Sequence, residues 1–126
     1  MATREVTLDN LDDTIHAADI VLLDFWAAWC GPCRAFAPVF EAASQEHPEM
    51  VFGKVDTEAQ RDLAAGFRIM SIPTLVVFRD GIAVYAQPGA LNAEALDSLI
   101  AAVEGLDMDA VHAEVAAQHS EPEGAA

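Results

Sequence analysis

The segment Ile20-Val21-Leu22-Leu23-Asp24-Phe25-Trp26 is apolar on both alternations. Successive strand residues point to opposite faces, so a half-exposed strand would alternate apolar and polar. A strand apolar on both faces is buried on both, and this one predicts the middle of a sheet covered by helices. Met50-Val51-Phe52-Gly53-Lys54-Val55 and Pro73-Thr74-Leu75-Val76-Val77-Phe78 read as two further core strands. Helical spacing fills the gaps between them. Asp9 to Ala17 carries Leu11 and Ile15 on one face. Arg34 to Glu46 carries Phe36, Phe40 and Ala43, with Pro38 inside, where the ring removes a hydrogen bond and predicts a kink. Thr57-Glu58-Ala59-Gln60 fits a capping box, with Thr57 as N-cap and Gln60 at N3, for a helix through Leu63, Ala64 and Phe67.

The remaining signals are local. Arg4 to Leu8 reads as a short edge strand. Asp80-Gly81 predicts a tight hairpin turn into Ile82 to Ala86. Asn92 caps a last helix that turns Leu96, Leu99 or Ile100, and Val103 inward, and Gly105 is its expected stop. The order β-α-β-α-β-α-β-β-α predicts an α/β sandwich with a mixed sheet between helices.

The chain has 126 residues, which fits one domain burying about two-thirds of its unfolded surface. Its 21 acids against 6 Lys and Arg give a net charge of −15. Phosphates would be repelled, which argues against nonspecific nucleic-acid and anionic-membrane binding. No apolar run approaches the ~18 residues a bilayer span requires. Met1-Ala2-Thr3-Arg4-Glu5-Val6 shows no apolar h-region, so no secretion signal is expected. Composition shifts near the C-terminus, where Glu104, Asp107, Asp109, Glu114, Glu121 and Glu123 stand without any Lys or Arg. Residues 1–105 are therefore expected to form the domain, and 106–126 an acidic extension. Met108, Val111 and Val115 could form one weak helical stripe in it. His119 to Ala126 are expected to be disordered.

The two cysteines, Cys30 and Cys33, lie in Trp29-Cys30-Gly31-Pro32-Cys33. Two cysteines at this spacing can close a small disulfide ring. At the start of a helix the first thiol meets free backbone N–H groups and the positive end of the helix dipole, which stabilise the attacking thiolate. Pro32 suits the first helical turn, because its missing N–H is an orphan there. Cys33, about one turn in, is placed to resolve a mixed disulfide on Cys30. A zinc site would need two further ligands, and His112 and His119 stand in the tail at poor spacing, so no metal is expected. Two ordinary buried thiols are the other alternative. Thiol–disulfide exchange is the favoured reading. Asp24 interrupts the most apolar strand; as a buried carboxylate it would hold a raised pKa and could pass protons to and from Cys33.

Asp24 through Cys33, Ala37-Pro38, Lys54, Ile72-Pro73-Thr74, Asp80-Gly81 and Gly89-Ala90 together resemble the thioredoxin family over roughly residues 4–104. Phe67 to Thr74 is most similar to its bacterial thioredoxin-2 branch. The zinc-binding N-terminal segment of some members of that branch has no counterpart in these residues. The resemblance implies the thioredoxin fold, with about five strands and four helices. It implies that Cys30 is the nucleophile, Cys33 the resolving thiol, Asp24 the proton-transfer group and Lys54 a neighbour that modulates Asp24. Trp29, Gly31 and Pro32 would form the active-site loop. Trp26, Ile72, a cis Pro73, Gly89 and Ala90 would receive substrate. Met70 and Pro88 depart from the family's usual residues at the rim of that surface.

No bound cofactor is implied beyond the Cys30–Cys33 redox disulfide. The implied partners are an NADPH-dependent thioredoxin reductase and disulfide-bearing clients of the peroxiredoxin, methionine sulfoxide reductase or ribonucleotide reductase types. A cytoplasmic monomer is expected. A thiol oxidase or isomerase on the same fold, and a redox-gated binding subunit or holdase, are the alternatives.

Overall fold

Val21, Leu22, Leu23, Asp24 and Phe25 are all fully buried in the computed structural model, which describes residues 2–120, with side-chain environments to Gln118. They belong to β2 (Ile20–Trp26), the middle strand of a five-stranded sheet. β2 runs parallel to β3 (Val51–Asp56) on one side and antiparallel to β4 (Thr74–Arg79) on the other. β1 (Thr3–Glu5) pairs parallel with β3 at one edge, and β5 (Ile82–Pro88) pairs antiparallel with β4 at the other. The expected mixed sheet is therefore present, in the order β1-β3-β2-β4-β5.

The helices are α1 (Leu11–Ile15), α2 (Gly31–Glu46), α3 (Arg61–Gly66), α4 (Ala93–Glu104) and α5 (Met108–Ser120). The sheet divides the core in two. On one face Leu22, Phe52, Leu75 and Val77 pack against Phe36 and Phe40 of α2 and Leu96, Ile100 and Val103 of α4. On the other, Val21, Leu23, Phe25 and Val76 pack against Leu63, with Leu11, Ile15 and Phe67 beside them. Strand alternation puts Asp24 and Trp26 on the same side as Leu22, the side that α2 covers.

Gly53 lies where two packed elements meet. A Cβ there would stand 2.5 Å from Val6 Cγ2 and 2.9 Å from Leu23 Cδ2, and both neighbours are fully buried. Replacing a strand glycine gains roughly 0.5–1 kcal/mol in chain entropy, whereas overpacking a tight core loses about 1–3 kcal/mol. Overpacking wins, so Gly53→Ala is expected to lower the urea midpoint with unchanged m. An unchanged or raised midpoint would contradict this packing.

Several boundaries differ from the sequence expectation. The edge strand ends at Glu5, not Leu8, because Asn10 turns the chain: Thr7 N–H donates to Asn10 Oδ1 at 2.8 Å. α1 is correspondingly short. α2 starts at Gly31, three residues before Arg34, with Cys30 as its N-cap. The capping box at Thr57 does not form. The Thr57 hydroxyl instead donates to Trp26 O at 3.0 Å, Asp56 Oδ1 accepts from Glu58 N–H at 2.9 Å, and α3 begins only at Arg61. The Asp80-Gly81 turn forms as expected, with φ of 54° and 80°, the left-handed pair a tight hairpin requires. Val84 bulges out of β5, between the Val77–Tyr85 and Phe78–Ala83 pairs. Asn92 Oδ1 caps α4 by accepting from Ala95 N–H at 2.8 Å.

A fifth helix stands where only a weak stripe was expected. Asp107 Oδ1 accepts from Ala110 N–H at its start, and His112 Nε2 lies 3.7 Å from Asp80 Oδ2 on the hairpin turn. α5 extends through His119 and Ser120, so the expected disorder does not begin at His119. Residues 121–126 of that expectation lie outside the described residues.

Candidate active site

After Trp26 the buried strand ends and the chain turns through Ala27, Ala28 and Trp29. Cys30 N–H closes the turn on Ala27 O at 3.2 Å. Arg34 braces the same loop from α2, its Nη1 donating to Ala28 O at 2.9 Å. Sequence reasoning passed over this arginine; its signal is a lone cation in the first turn after the cysteine pair. Thr57 clasps the end of β2 by donating to Trp26 O from both its backbone N–H (2.9 Å) and its hydroxyl.

Cys30 and Cys33 are joined as a disulfide, with their Cα atoms 5.2 Å apart. Cys30 Sγ accepts the Cys33 N–H at 3.2 Å, which makes the sulfur the side-chain cap of a 16-residue helix. One of the orphan donors of the helix N-terminus is thus spent on sulfur. Both cysteines are nearly buried, at 4% and 3% exposure, while the neighbouring Trp29 is 67% exposed. Gly31 and Pro32 sit exposed on the first turn of α2.

Three further segments surround the sulfurs. Cys30 Sγ lies 3.7 Å from Ile72 O, and the Ile72–Pro73 peptide bond is cis. Trp26 and Ile72 pack against Ala27, Cys30 and Cys33. Pro73 O accepts Gly89 N–H at 2.8 Å, which draws the exposed Gly89-Ala90 loop to the same end of the sheet. Gly89 has a φ of 113°, and nothing lies within 4 Å of the place a Cβ would take. Backbone conformation, rather than crowding within the chain, is what calls for glycine there. Beside Trp29 a shallow groove of about 340 Å³ runs past Ile69, Met70 and Ile72, and Met70 is 93% exposed.

Asp24 is fully buried, and neither carboxylate oxygen has a hydrogen-bond partner among the described residues. Burial raises its pKa from 3.8 to about 7, against a smaller downward pull from Lys54. Lys54 stands opposite Asp24 in the β2–β3 register, but no ion pair closes between them among the described residues. The ammonium lies instead over the ring of Trp26, 4.9 Å from its centroid, a cation–π contact that sequence reasoning did not anticipate. The structure therefore brings Asp24, Trp26, Lys54, Cys30, Cys33, Ile72 and Pro73 to one end of the sheet.

Comparison with known proteins agrees with this geometry. The thioredoxin family model matches residues 2–102. A Streptomyces coelicolor protein named "Putative thioredoxin 2" is 52% identical over 120 residues, covering 95% of this chain and 90% of its own. A thioredoxin of Mycoplasma genitalium is 42% identical over 82 residues, covering 65% of this chain and 80% of its own. Among solved structures, a thioredoxin variant from Halobacterium salinarum superposes with a TM-score of 0.77 at 34% identity, covering 83% of this chain and 94% of its own. With a matching fold, a matching family model and a bonded cysteine pair at the head of α2, the chain belongs to the thioredoxin family of protein-disulfide oxidoreductases.

Proposed function

We propose that the protein is a reductant of protein disulfides, cycling Cys30 and Cys33 between dithiol and disulfide. The observation that carries this reading is the Cys33 N–H donated to Cys30 Sγ at the head of α2. In the reduced protein that donor and the helix dipole stabilise a thiolate on Cys30. The thiolate attacks a target disulfide, forming a mixed disulfide and releasing one target thiolate. Asp24 takes the proton of Cys33. The Cys33 thiolate then attacks Cys30, the second target sulfur leaves, and Cys30–Cys33 is oxidised as the target gains two electrons.

Trp29, Gly31 and Pro32 form the loop that presents the sulfur. Trp26, Ile72, Pro73, Gly89 and Ala90 receive the target, whose extended backbone pairs with Ile72 in a short version of strand addition. Lys54 modulates Asp24 from its seat on Trp26. An NADPH-dependent thioredoxin reductase regenerates the dithiol, and the clients are disulfides of the peroxiredoxin, methionine sulfoxide reductase or ribonucleotide reductase types. The redox unit spans residues 1–105 and acts as a cytoplasmic monomer. The family match ending at residue 102 supports this boundary. Among the described residues, no helix is long and apolar enough to cross a membrane.

An equilibrium redox titration, read by tryptophan fluorescence and by thiol alkylation, tests the direction of transfer. A single two-electron transition below about −240 mV is expected for a reductant in a reducing compartment. A transition above about −190 mV would overturn the reading in favour of an oxidase or isomerase.

A further inference from the structure

We propose that Glu46, His47 and Asp97 bind one divalent transition-metal cation, of the Zn²⁺ class, which clamps the end of α2 to α4. One donor atom from each of the three side chains lies within 4.8 Å of the other two. Donors about 2.1 Å from a tetrahedral zinc stand about 3.4 Å apart, so small rotamer adjustments close the set. Glu46 and Asp97 are exposed and free to make them. This site lies at the opposite end of α2 from the cysteines, roughly 24 Å away at 1.5 Å per residue. The sequence reading, which sought ligands to complete the cysteine pair, could not see it, because Asp97 is fifty residues from His47 in the chain.

Charge at this helix end favours a cation. The last carbonyls of α2 carry the negative end of the helix dipole, and the last turn holds no basic residue to offset it. Glu46 adds a like charge there, and Asp97 brings another from α4. Neither carboxylate has an ion-pair partner among the described residues. A divalent ion neutralises both and meets the dipole.

His47 turns a general attraction for cations into a selective one. Its side chain is only 24% exposed, and its backbone is held at both sides: His47 N–H donates to Ala43 O at 3.1 Å, and His47 O accepts Met50 N–H at 3.0 Å. The same turn puts Glu49 Oε2 3.6 Å from His47 Nδ1. A carboxylate beside one ring nitrogen favours a proton there and leaves the other nitrogen to the metal, the usual arrangement behind metal-bound histidines. One imidazole with two carboxylates suits Zn²⁺, Co²⁺ or Ni²⁺, whereas Mg²⁺ and Ca²⁺ prefer oxygen donors alone. A cavity of about 40 Å³ beside Glu46 and Asp97, walled by Val39, Ala43 and Leu96, has room for a metal-bound water.

The test is calorimetric titration of the untagged, oxidised full chain with ZnCl₂ in 0.15 M NaCl, where the disulfide keeps the thiols from competing. Binding of one equivalent is expected, with a rise in Tm because the ion binds the folded state. His47→Gln and Asp97→Asn should each weaken binding at least tenfold, and MgCl₂ should give no saturable heat. The double variant His16→Gln/His112→Gln should bind as the parent does. Asp97 is exposed, so its variant will fold and keeps the test decisive. Absence of stoichiometric binding up to 1 mM would overturn the proposal. So would unchanged binding in both His47→Gln and Asp97→Asn, which would mean diffuse attraction to an acidic surface.

Discussion

Cys30→Ser is expected to reduce insulin disulfides at least about 10³-fold more slowly than the parent, a barrier increase of about 4 kcal/mol. A serine hydroxyl in the same place is not ionised near neutral pH, so the N–H and dipole that stabilise a thiolate have no anion to act on. Cys33→Ser should fail differently. Cys30 can still attack a target, but nothing resolves the product, so a mixed disulfide accumulates. It should run as a larger band on a non-reducing gel and vanish with dithiothreitol. Both cysteines are almost fully buried against Trp26 and Ile72, so neither replacement exposes a new surface. Normal turnover in Cys30→Ser, or no trapped adduct in Cys33→Ser, would refute the assigned order of attack.

Asp24→Asn should separate stability from activity. In the unfolded chain Asp24 titrates near 3.8; in the fold it titrates at about 7, chiefly because burial disfavours its charge. Between those values the folded chain holds a proton that the unfolded chain has lost. Stability therefore falls as pH rises through this window, and the loss is complete above it. About three pH units at 1.36 kcal/mol each make the loss about 4 kcal/mol at most. The amide cannot ionise. Asp24→Asn should match the parent near pH 4 in urea denaturation and exceed it by up to this amount at pH 8. Activity should move the opposite way. Without a proton acceptor beneath α2, Cys33 must ionise unaided, and resolution near pH 7 should slow by up to about 10²-fold. The deficit should shrink toward pH 9 as the thiol ionises by itself. Equal stability differences at pH 4 and pH 8 would show that Asp24 is not held protonated by the fold.

Much of the framework was legible because it depends on close neighbours in the chain. The double-sided apolar run of Ile20–Trp26 pointed to a central strand, and it forms one. Asn92 and the Asp80-Gly81 turn act over two or three residues, and both formed as read. The Thr57 capping box failed for the complementary reason. Its hydroxyl had a distant competitor, Trp26 O, that no local pattern reveals. α5 was underread because its hydrophobic stripe is weak, while its Asp107 cap and the Asp80–His112 contact join separate parts of the chain.

By itself the sequence determined the central strand and a helix next to the cysteine pair, and hence a thiol placed near a helix start; that Cys30 is the N-cap itself was decided by the structure. The tertiary structure alone decided the electrostatics. The pKa of Asp24 is raised because the packed fold buries its carboxylate, and Lys54, although opposite it in the β2–β3 register, leaves it unpaired because its ammonium lies over the Trp26 ring instead. Caps and turns follow from bonding within a few residues. A pKa depends on solvent exclusion and on distances to charges, and those are set only when remote segments pack.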